Sequence, residues 1–284
     1  MPKRSGHNKQ DQSTSSTPRK TGKQWAEEGD FHLKEKDYNA ALAAYKEALK
    51  RDPGMVRAHI GKGDALYELG RYQSALRAYE RAIQLKPKSV EAHNGKGNAL
   101  MMLDYNEEAL EEFEEAIQLD PENSNSYNNK AYILWMLDRE EDALAAYDKA
   151  IQLDPHNAKA YNSKAILLDF LKRYEEAFQA YDKAIQLNPM EPKYSSNKGV
   201  LLQNMHLYQD ALVAFEQAIQ RDPHYVDAWS GKAQVLSQLK RYDEAAEAQE
   251  RLEQLMEEGY GDDDDYDDFP DLIIFPKEYF QESE

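Results

Sequence analysis

Six prolines of this chain are spaced 34 residues apart, with no insertion or deletion between them. They are Pro53, Pro87, Pro121, Pro155, Pro189 and Pro223. A fixed period of this length indicates a repeat architecture, in which each copy forms one small unit that packs on its neighbours. With each proline placed at position 32, seven units begin at residues 22, 56, 90, 124, 158, 192 and 226, and the seventh has no closing proline. We therefore predict an array of seven units over residues 22–256.

Four other positions hold one kind of side chain from unit to unit. Positions 8 and 20 are Gly or Ala in all seven units, position 24 is Tyr or Phe in six, and position 27 is Ala in six. Steps of three and four residues keep side chains on one face of an α-helix, so each unit is predicted to be two helices packed through small residues. The proline ends the second helix because it cannot donate a backbone hydrogen bond.

At these positions the chain resembles the tetratricopeptide repeat (TPR) family. The resemblance includes the aromatic residue at position 4 of four units: Trp25, Tyr127, Tyr161 and Trp229. It implies an all-α fold, a right-handed superhelical solenoid of seven 34-residue helix-turn-helix repeats. It also implies that the first helices of the repeats line a concave groove, which in this family usually binds a peptide or a partner helix.

The two ends of the chain differ in charge from the array. Residues 1–23 carry six basic side chains against one acid, and residues 257–284 carry twelve acids against one lysine. We predict a disordered basic arm over residues 1–21 and an acidic, partly apolar tail over residues 257–284. The array itself is acidic and would repel phosphate, so nucleic acid is not expected as a partner. No apolar run is long enough for a membrane span or a secretory signal, so we expect a cytoplasmic protein and no membrane contact.

The sequence gives no sign of catalysis. It has no cysteine, and its seven histidines show no metal-binding spacing. The stretches "GKGDAL" and "GKGNAL" resemble phosphate-binding loops, but they recur inside predicted helices, where packing accounts for the glycines. We expect a protein that is not an enzyme and has no cofactor, no metal site and no catalytic residue.

The candidate binding site is the free face of the first helices. Helical geometry assigns positions 3, 4, 7, 8, 10, 11 and 14 to packing and leaves positions 2, 5, 6, 9, 12 and 13 on the opposite face. In the middle repeats that face combines amides with large apolar groups, which suits a polypeptide ligand. The predicted partner-binding residues are Asn94, Asn98, Met101, Met102, Asn128, Asn129, Tyr132, Trp135, Met136, Lys159, Asn162, Ile166, Phe170 and Asn197. The alternative is that positions 12 and 13 are covered by the next repeat and belong to the core.

Two further patterns leave alternatives open. Six lysines occupy position 7 and form either a positive rail for an acidic ligand or ion pairs with nearby carboxylates, such as those at positions 18 and 19. Some family members hold a C-terminal carboxylate with a clamp of lysines, asparagines and an arginine. Asn98, Asn129 and Lys159 match that pattern, but Asn94 and Ser163 replace two of its cations.

These observations favour a non-enzymatic scaffold or adaptor that binds a protein or peptide in the groove. One alternative is a co-chaperone or assembly factor that recognises C-terminal or nascent segments. Another is a regulatory subunit inhibited by its own tail, because the apolar segment "LIIF" and the aromatic residues after it are too short to form a core. The tail would cap the last repeat, occupy the groove or bind another protein.

Overall fold

The computed structural model describes residues 20–261. Within that range the chain forms fourteen α-helices and no strand, so the all-helical solenoid of seven helix pairs is confirmed. The helices are α1 (Gly22–Lys34), α2 (Tyr38–Arg51), α3 (Val56–Glu68), α4 (Tyr72–Leu85), α5 (Val90–Met101), α6 (Asn106–Leu119), α7 (Ser124–Met136), α8 (Glu140–Leu153), α9 (Ala158–Phe170), α10 (Tyr174–Leu187), α11 (Pro192–Asn204), α12 (Tyr208–Arg221), α13 (Val226–Gln238) and α14 (Tyr242–Glu257). The predicted arm and tail lie outside the described residues, except for residues 20–21 and 257–261.

Each odd-numbered helix begins at the first residue of a 34-residue unit. Asparagines cap two of these helices: the side chains of Asn123 and Asn157 accept hydrogen bonds from backbone N–H groups in the first turns of α7 and α9. The turn inside each pair passes through a left-handed residue at position 15, which is glycine only at Gly70. The other six are Lys36, Asp104, Asp138, Lys172, His206 and Lys240. Packing of the helix pair therefore fixes this turn even where the side chain disfavours it.

The core is built from aromatic rings at position 24, each held beneath small residues of two repeats. Tyr45 lies under Gly29 of its own repeat and Gly61 of the next, and a Cβ atom at Gly61 would approach the Tyr45 ring to 2.3 Å. Tyr79 has the same relation to Gly63 and Gly95. The glycines of "GKGDAL" and "GKGNAL" are therefore packing residues, because each makes room for a ring.

Ion pairs at position 7 also join successive repeats. Four of these lysines bind a carboxylate at position 25 of the preceding repeat, with N–O distances between 2.5 and 3.2 Å: Lys130 with Glu114, Lys164 with Asp148, Lys198 with Asp182, and Lys232 with Glu216. Lys96 instead binds Glu112 of its own repeat at 2.6 Å. Five of the six lysines are therefore engaged within the chain, although not with positions 18 and 19.

The stacking shows which side of the array is concave. First helices contact the first helices of the next repeat all along the chain, from α1 and α3 to α11 and α13. Second helices make no comparable contact with one another within residues 20–261. Because the array is tighter on the side of the first helices, that side forms the inner wall of the solenoid.

Candidate functional site

A polar cleft of about 460 Å³ opens on the inner wall, across α3, α5, α7 and the start of α9. Amide side chains dominate its lining, and three carboxylates and one lysine complete its ionisable groups. The residues are Asp64, Tyr67, Glu68, Tyr79, Val90, Glu91, Asn94, Gly95, Asn98, Asn123, Asn125, Asn128, Asn129, Asn157 and Lys159. The acids come from repeats 2 and 3, and the lysine is the second residue of repeat 5, so the two ends of the cleft differ in charge.

Several of the asparagines bridge neighbouring repeats. Asn94 Nδ2 donates to Ser126 Oγ at 2.8 Å, and Asn129 Nδ2 donates to Asn98 Oδ1 at 3.2 Å. The Oδ1 atoms of Asn94 and Asn128 are buried and have no hydrogen-bond partner in the part of the chain that the structure describes. A buried amide oxygen without a donor carries a desolvation cost, and both of these asparagines lie in the wall of the cleft.

The acidic end of the cleft is built on a tyrosine–aspartate pair. The Tyr79 ring lies beneath Gly63 and Gly95, and its hydroxyl donates to Asp64 Oδ1 at 2.7 Å. Burial raises the pKa of Asp64 to about 6, and the hydrogen bond from Tyr79 opposes that rise only in part. The Asp64 carboxylate is therefore a partly desolvated acceptor at the wall of the cleft.

Repeat 1 contains the same pair in a different setting. The Tyr45 hydroxyl donates to Asp30 Oδ1 at 2.6 Å, and the guanidinium of Arg57 pairs with the same carboxylate. Arg57 holds position 2 of repeat 2. Glu91 holds position 2 of repeat 3, so the corresponding cation is missing beside Asp64.

Five of the predicted binding residues line the cleft: Asn94, Asn98, Asn128, Asn129 and Lys159. Lys159 is exposed, Asn128 is buried, and the other three are half-buried. The asparagine part of the predicted face is therefore gathered in one place. Whether these side chains contact a partner stays a prediction.

The apolar part of the predicted face is mostly closed, and the expectation that Met101, Tyr132 and Ile166 are exposed is wrong, because all three are buried. Trp135 is half-buried between Tyr132 and Phe170, with ring centroids 6.1 and 5.8 Å away. Successive first helices contact one another, so their large apolar side chains cover part of the face that a single helix would leave free. The alternative that assigned positions 12 and 13 to the core describes Met101, Trp135 and Phe170 better, and burial at position 9 goes beyond that alternative.

The remaining predicted residues also lie away from the cleft lining. Met102 and Phe170 are half-buried and pack against core residues. Asn162 and Asn197 are buried, and Asn197 Nδ2 donates to Asn162 Oδ1 at 3.0 Å. Among the predicted apolar residues Met136 alone is exposed, at 43%.

Sequence reasoning missed the acidic end of the cleft. Asp64 follows a position-8 glycine, as Asp30 does in repeat 1, and both repeats carry tyrosine at position 24. That pairing of glycine, aspartate and tyrosine is a signal that could have identified the site. Tyr67 and Glu68 lie one turn beyond Asp64, at positions 12 and 13, and all three positions had been assigned to the free face.

Residues 20–261 contain neither a cluster of metal ligands nor a helix that could span a membrane. No three His, Asp or Glu side chains of residues 20–261 come close enough together to hold a metal ion. In the same range, no helix combines the length and apolar character needed to cross a membrane.

Comparison with known families gives one consistent description. Three family models described as tetratricopeptide repeat match the chain: one at residues 27–90, 61–124 and 94–158, one at 158–190 and one at 205–268. No curated protein sequence matches it significantly.

Solved structures show the same fold at low sequence identity. The APC/C hetero-tetramer Cut9–Hcn1 matches with 16% identity and a TM-score of 0.68, over 76% of this chain and 43% of that one. Yeast Tom70 matches with 22% identity and a TM-score of 0.64, over 82% and 50% of the two chains. PilF of Pseudomonas aeruginosa matches with 20% identity and a TM-score of 0.61, over 75% and 97%. This chain thus spans half the length or less of the first two, and the likeness concerns the fold.

Proposed function

Because the chain belongs to the tetratricopeptide repeat family, whose members generally mediate protein–protein interactions, we propose that it is a non-enzymatic adaptor that holds an extended segment of a partner protein in the polar cleft. The observation that carries this proposal is the row of asparagines that line the cleft: Asn94, Asn98, Asn125, Asn128 and Asn129. We place the protein in the cytoplasm on the sequence grounds given above.

An extended segment fits the cleft better than a helix does. A helix has already paired most of its own N–H groups, whereas an extended chain offers free N–H and C=O groups along its length. Amide side chains both donate and accept, so a row of asparagines can meet such a backbone whatever its sequence. The cleft crosses four first helices, and neighbouring helix axes lie about 8–10 Å apart. It therefore accommodates roughly eight residues of extended chain at about 3.3 Å per residue.

The two alternative roles are less favoured by the charges of the cleft. A C-terminal carboxylate bound by the amides would lie in the same cleft as Asp64, Glu68 and Glu91, with Lys159 as the cation of the lining. The acidic tail of the chain would meet the same repulsion. Both the co-chaperone role and inhibition by the tail in this cleft remain outcomes that the following experiment would detect.

The proposal is tested by selecting binders from a displayed library of random peptides against the full chain. Selected peptides should bind the parent protein and lose affinity by about 5-fold or more for the variant Asn94→Ala/Asn128→Ala, because each lost neutral hydrogen bond contributes about 0.5–1.5 kcal/mol. Asn188→Ala is the matched control, since Asn188 is an exposed amide outside the cleft.

Three outcomes would count against the proposal as stated. Peptides that bind the parent protein and the Asn94→Ala/Asn128→Ala variant equally well would show that the site lies elsewhere. Binding that requires a free C-terminal carboxylate would favour the co-chaperone role. A large gain in affinity after removal of residues 262–284 would favour inhibition by the tail.

A further inference from the structure

In repeat 1, an arginine of the chain binds the carboxylate of the tyrosine–aspartate pair, and this contact is a model for how a ligand would bind the same pair in repeat 2. The Asp30 carboxylate accepts the Tyr45 hydroxyl and is paired with the guanidinium of Arg57. The Asp64 carboxylate accepts the Tyr79 hydroxyl, and no cation of residues 20–261 pairs with it. Because both carboxylates occupy position 9 of their repeats and face the inner wall, Arg57 shows which chemical group complements this arrangement.

A second observation at the same end of the cleft indicates an incomplete site. Tyr67 is only 7% exposed, lines the cleft and has a buried hydroxyl oxygen without a hydrogen-bond partner among the described residues. A buried hydroxyl of this kind costs free energy until a ligand group reaches it. Asp64, Tyr67 and Glu68 all lie in α3, and Tyr67 and Glu68 follow Asp64 by one helical turn.

Building on the proposed function, we propose that the acidic end of the cleft, formed by Asp64, Glu68 and Glu91, is a subsite for an arginine side chain of the bound segment. A guanidinium offers five N–H donors in a planar fork, which can reach a carboxylate and a neighbouring hydroxyl together. Its positive charge is complementary to the three carboxylates, and Arg57 already makes the equivalent contact one repeat earlier.

Other ligands fit this end of the cleft less well. A metal ion would need three or more ligands around one point, and the described residues contain no such cluster. A lysine ammonium carries the same charge but makes point contacts without the planar fork, so it should bind more weakly. A carboxylate or phosphate would be repelled.

The subsite is tested without any peptide, by NMR titration of the Asp64 carboxyl in the full chain. Burial places the pKa of Asp64 at about 6, within easy reach of such a titration. N-acetyl-arginine methylamide should lower the pKa of Asp64 by about one unit or more, because an opposite charge close by favours the ionised form. The citrulline analogue, which has the same shape without the charge, should leave the pKa unchanged at equal ionic strength.

Two variants with the same change of charge provide the control. Glu91→Arg places a guanidinium where Arg57 stands in the repeat before, so it should lower the pKa of Asp64 without ligand and abolish the response to the arginine derivative. Glu80→Arg changes an exposed residue of α4 outside the cleft and should leave the response intact. Both glutamates are exposed, but Glu91 also accepts a hydrogen bond from Ser89 Oγ at 3.0 Å at the start of α5, so circular dichroism of both variants checks that the fold is kept.

The outcomes separate this inference from the proposed function. If the pKa of Asp64 does not change when the arginine derivative is added, the subsite proposal is wrong, even if selected peptides bind at Asn94 and Asn128. A response of equal size to calcium chloride overturns it in favour of a metal site. A response to the arginine derivative with no selectable peptide supports the subsite and contradicts the adaptor role.

Discussion

Repeats 1 and 2 contain the same tyrosine–aspartate pair, but the surroundings of the aspartate carboxylate differ between them. In repeat 1 the Asp30 carboxylate is bound by Arg57 and joins two repeats of the solenoid. In repeat 2 the Asp64 carboxylate faces a cleft in which Glu91 occupies the position of that arginine. The residue at position 2 of the following repeat therefore distinguishes a carboxylate that is paired within the chain from one that lines the cleft.

The same contrast extends along the inner wall. Position 9 is Asp30, Asp64 and Asn98 in the first three repeats, and Tyr132, Ile166 and Val200 in the next three. Asp30 is paired with Arg57, Asp64 and Asn98 line the open cleft, and Tyr132 and Ile166 are buried. The same helix-pair architecture thus holds both an open polar cleft and a stretch of inner wall that is closed by its own side chains.

The packing beneath the two pairs is the same, and breaking it should give the largest effect. Gly61→Ala and Gly95→Ala each bring a Cβ atom within 2.4 Å of a tyrosine ring atom, Tyr45 and Tyr79 respectively. Overpacking of this kind costs about 1–3 kcal/mol, so we expect each variant to lower the free energy of unfolding by about 2 kcal/mol. Urea denaturation of the two variants side by side measures this. Tolerance of either alanine would show that the two repeats are not built alike.

Neutralising the two aspartates should change stability in opposite directions. The pKa of Asp64 in the folded chain, about 6, lies above the ordinary value, so the folded state binds this proton more tightly than the unfolded state. The resulting penalty is absent below about pH 4, grows as the pH rises to about 6 and then stays constant. At pH 7, Asp64→Asn should therefore raise the free energy of unfolding by about 1–2 kcal/mol.

Asp30→Asn should instead lower the free energy of unfolding by about 0.5–1 kcal/mol, because it removes the partner of a half-exposed arginine. Burial also raises the pKa of Asp169 to about 6, so the informative quantity is the difference between each variant and the parent across pH 4–7. Loss of stability in both variants would contradict the distinction between a closed and an open pair.

Exchanging the charges at position 2 should give the smallest effect on stability. Glu91→Arg should raise the free energy of unfolding by about 0.5 kcal/mol, and Arg57→Glu should lower it by a similar amount, as expected for partly exposed ion pairs. Thermal denaturation at low and high salt checks both, because screening should shrink the two differences. Effects that do not depend on salt would show that these residues act through packing.

The repeat pattern was enough to predict the helices. Ala41, Tyr45 and Pro53 illustrate the spacing of repeat 1, and this spacing leaves one arrangement that buries the small and aromatic residues together. The turns were harder to predict, because six of the seven left-handed positions carry a residue other than glycine, such as Asp138 or Lys172. Packing of the two helices within each repeat, not local preference, determines those turns.

The site was predicted only in part, for a physical reason. Helical geometry identifies which face of one helix is free, and it correctly placed Asn94 and Asn128 on the inner wall. It does not say how far the next repeat covers that face, and so it left Tyr132 and Ile166 exposed when their neighbours bury them. Asp64 was missed because its role depends on Tyr79 from another helix and on Glu91 from another repeat.

The central claim is that the cleft binds an extended segment whose arginine reaches Asp64. The most direct test measures the affinity of one library-selected peptide and of its arginine-to-citrulline analogue for the parent protein and for Asp64→Asn. A charge-assisted hydrogen bond contributes about 1.5–3 kcal/mol, so we predict that the parent prefers arginine by about 10-fold or more and that Asp64→Asn loses most of this preference. Equal preference in both proteins, or equal binding of the two peptides to the parent, would contradict the account.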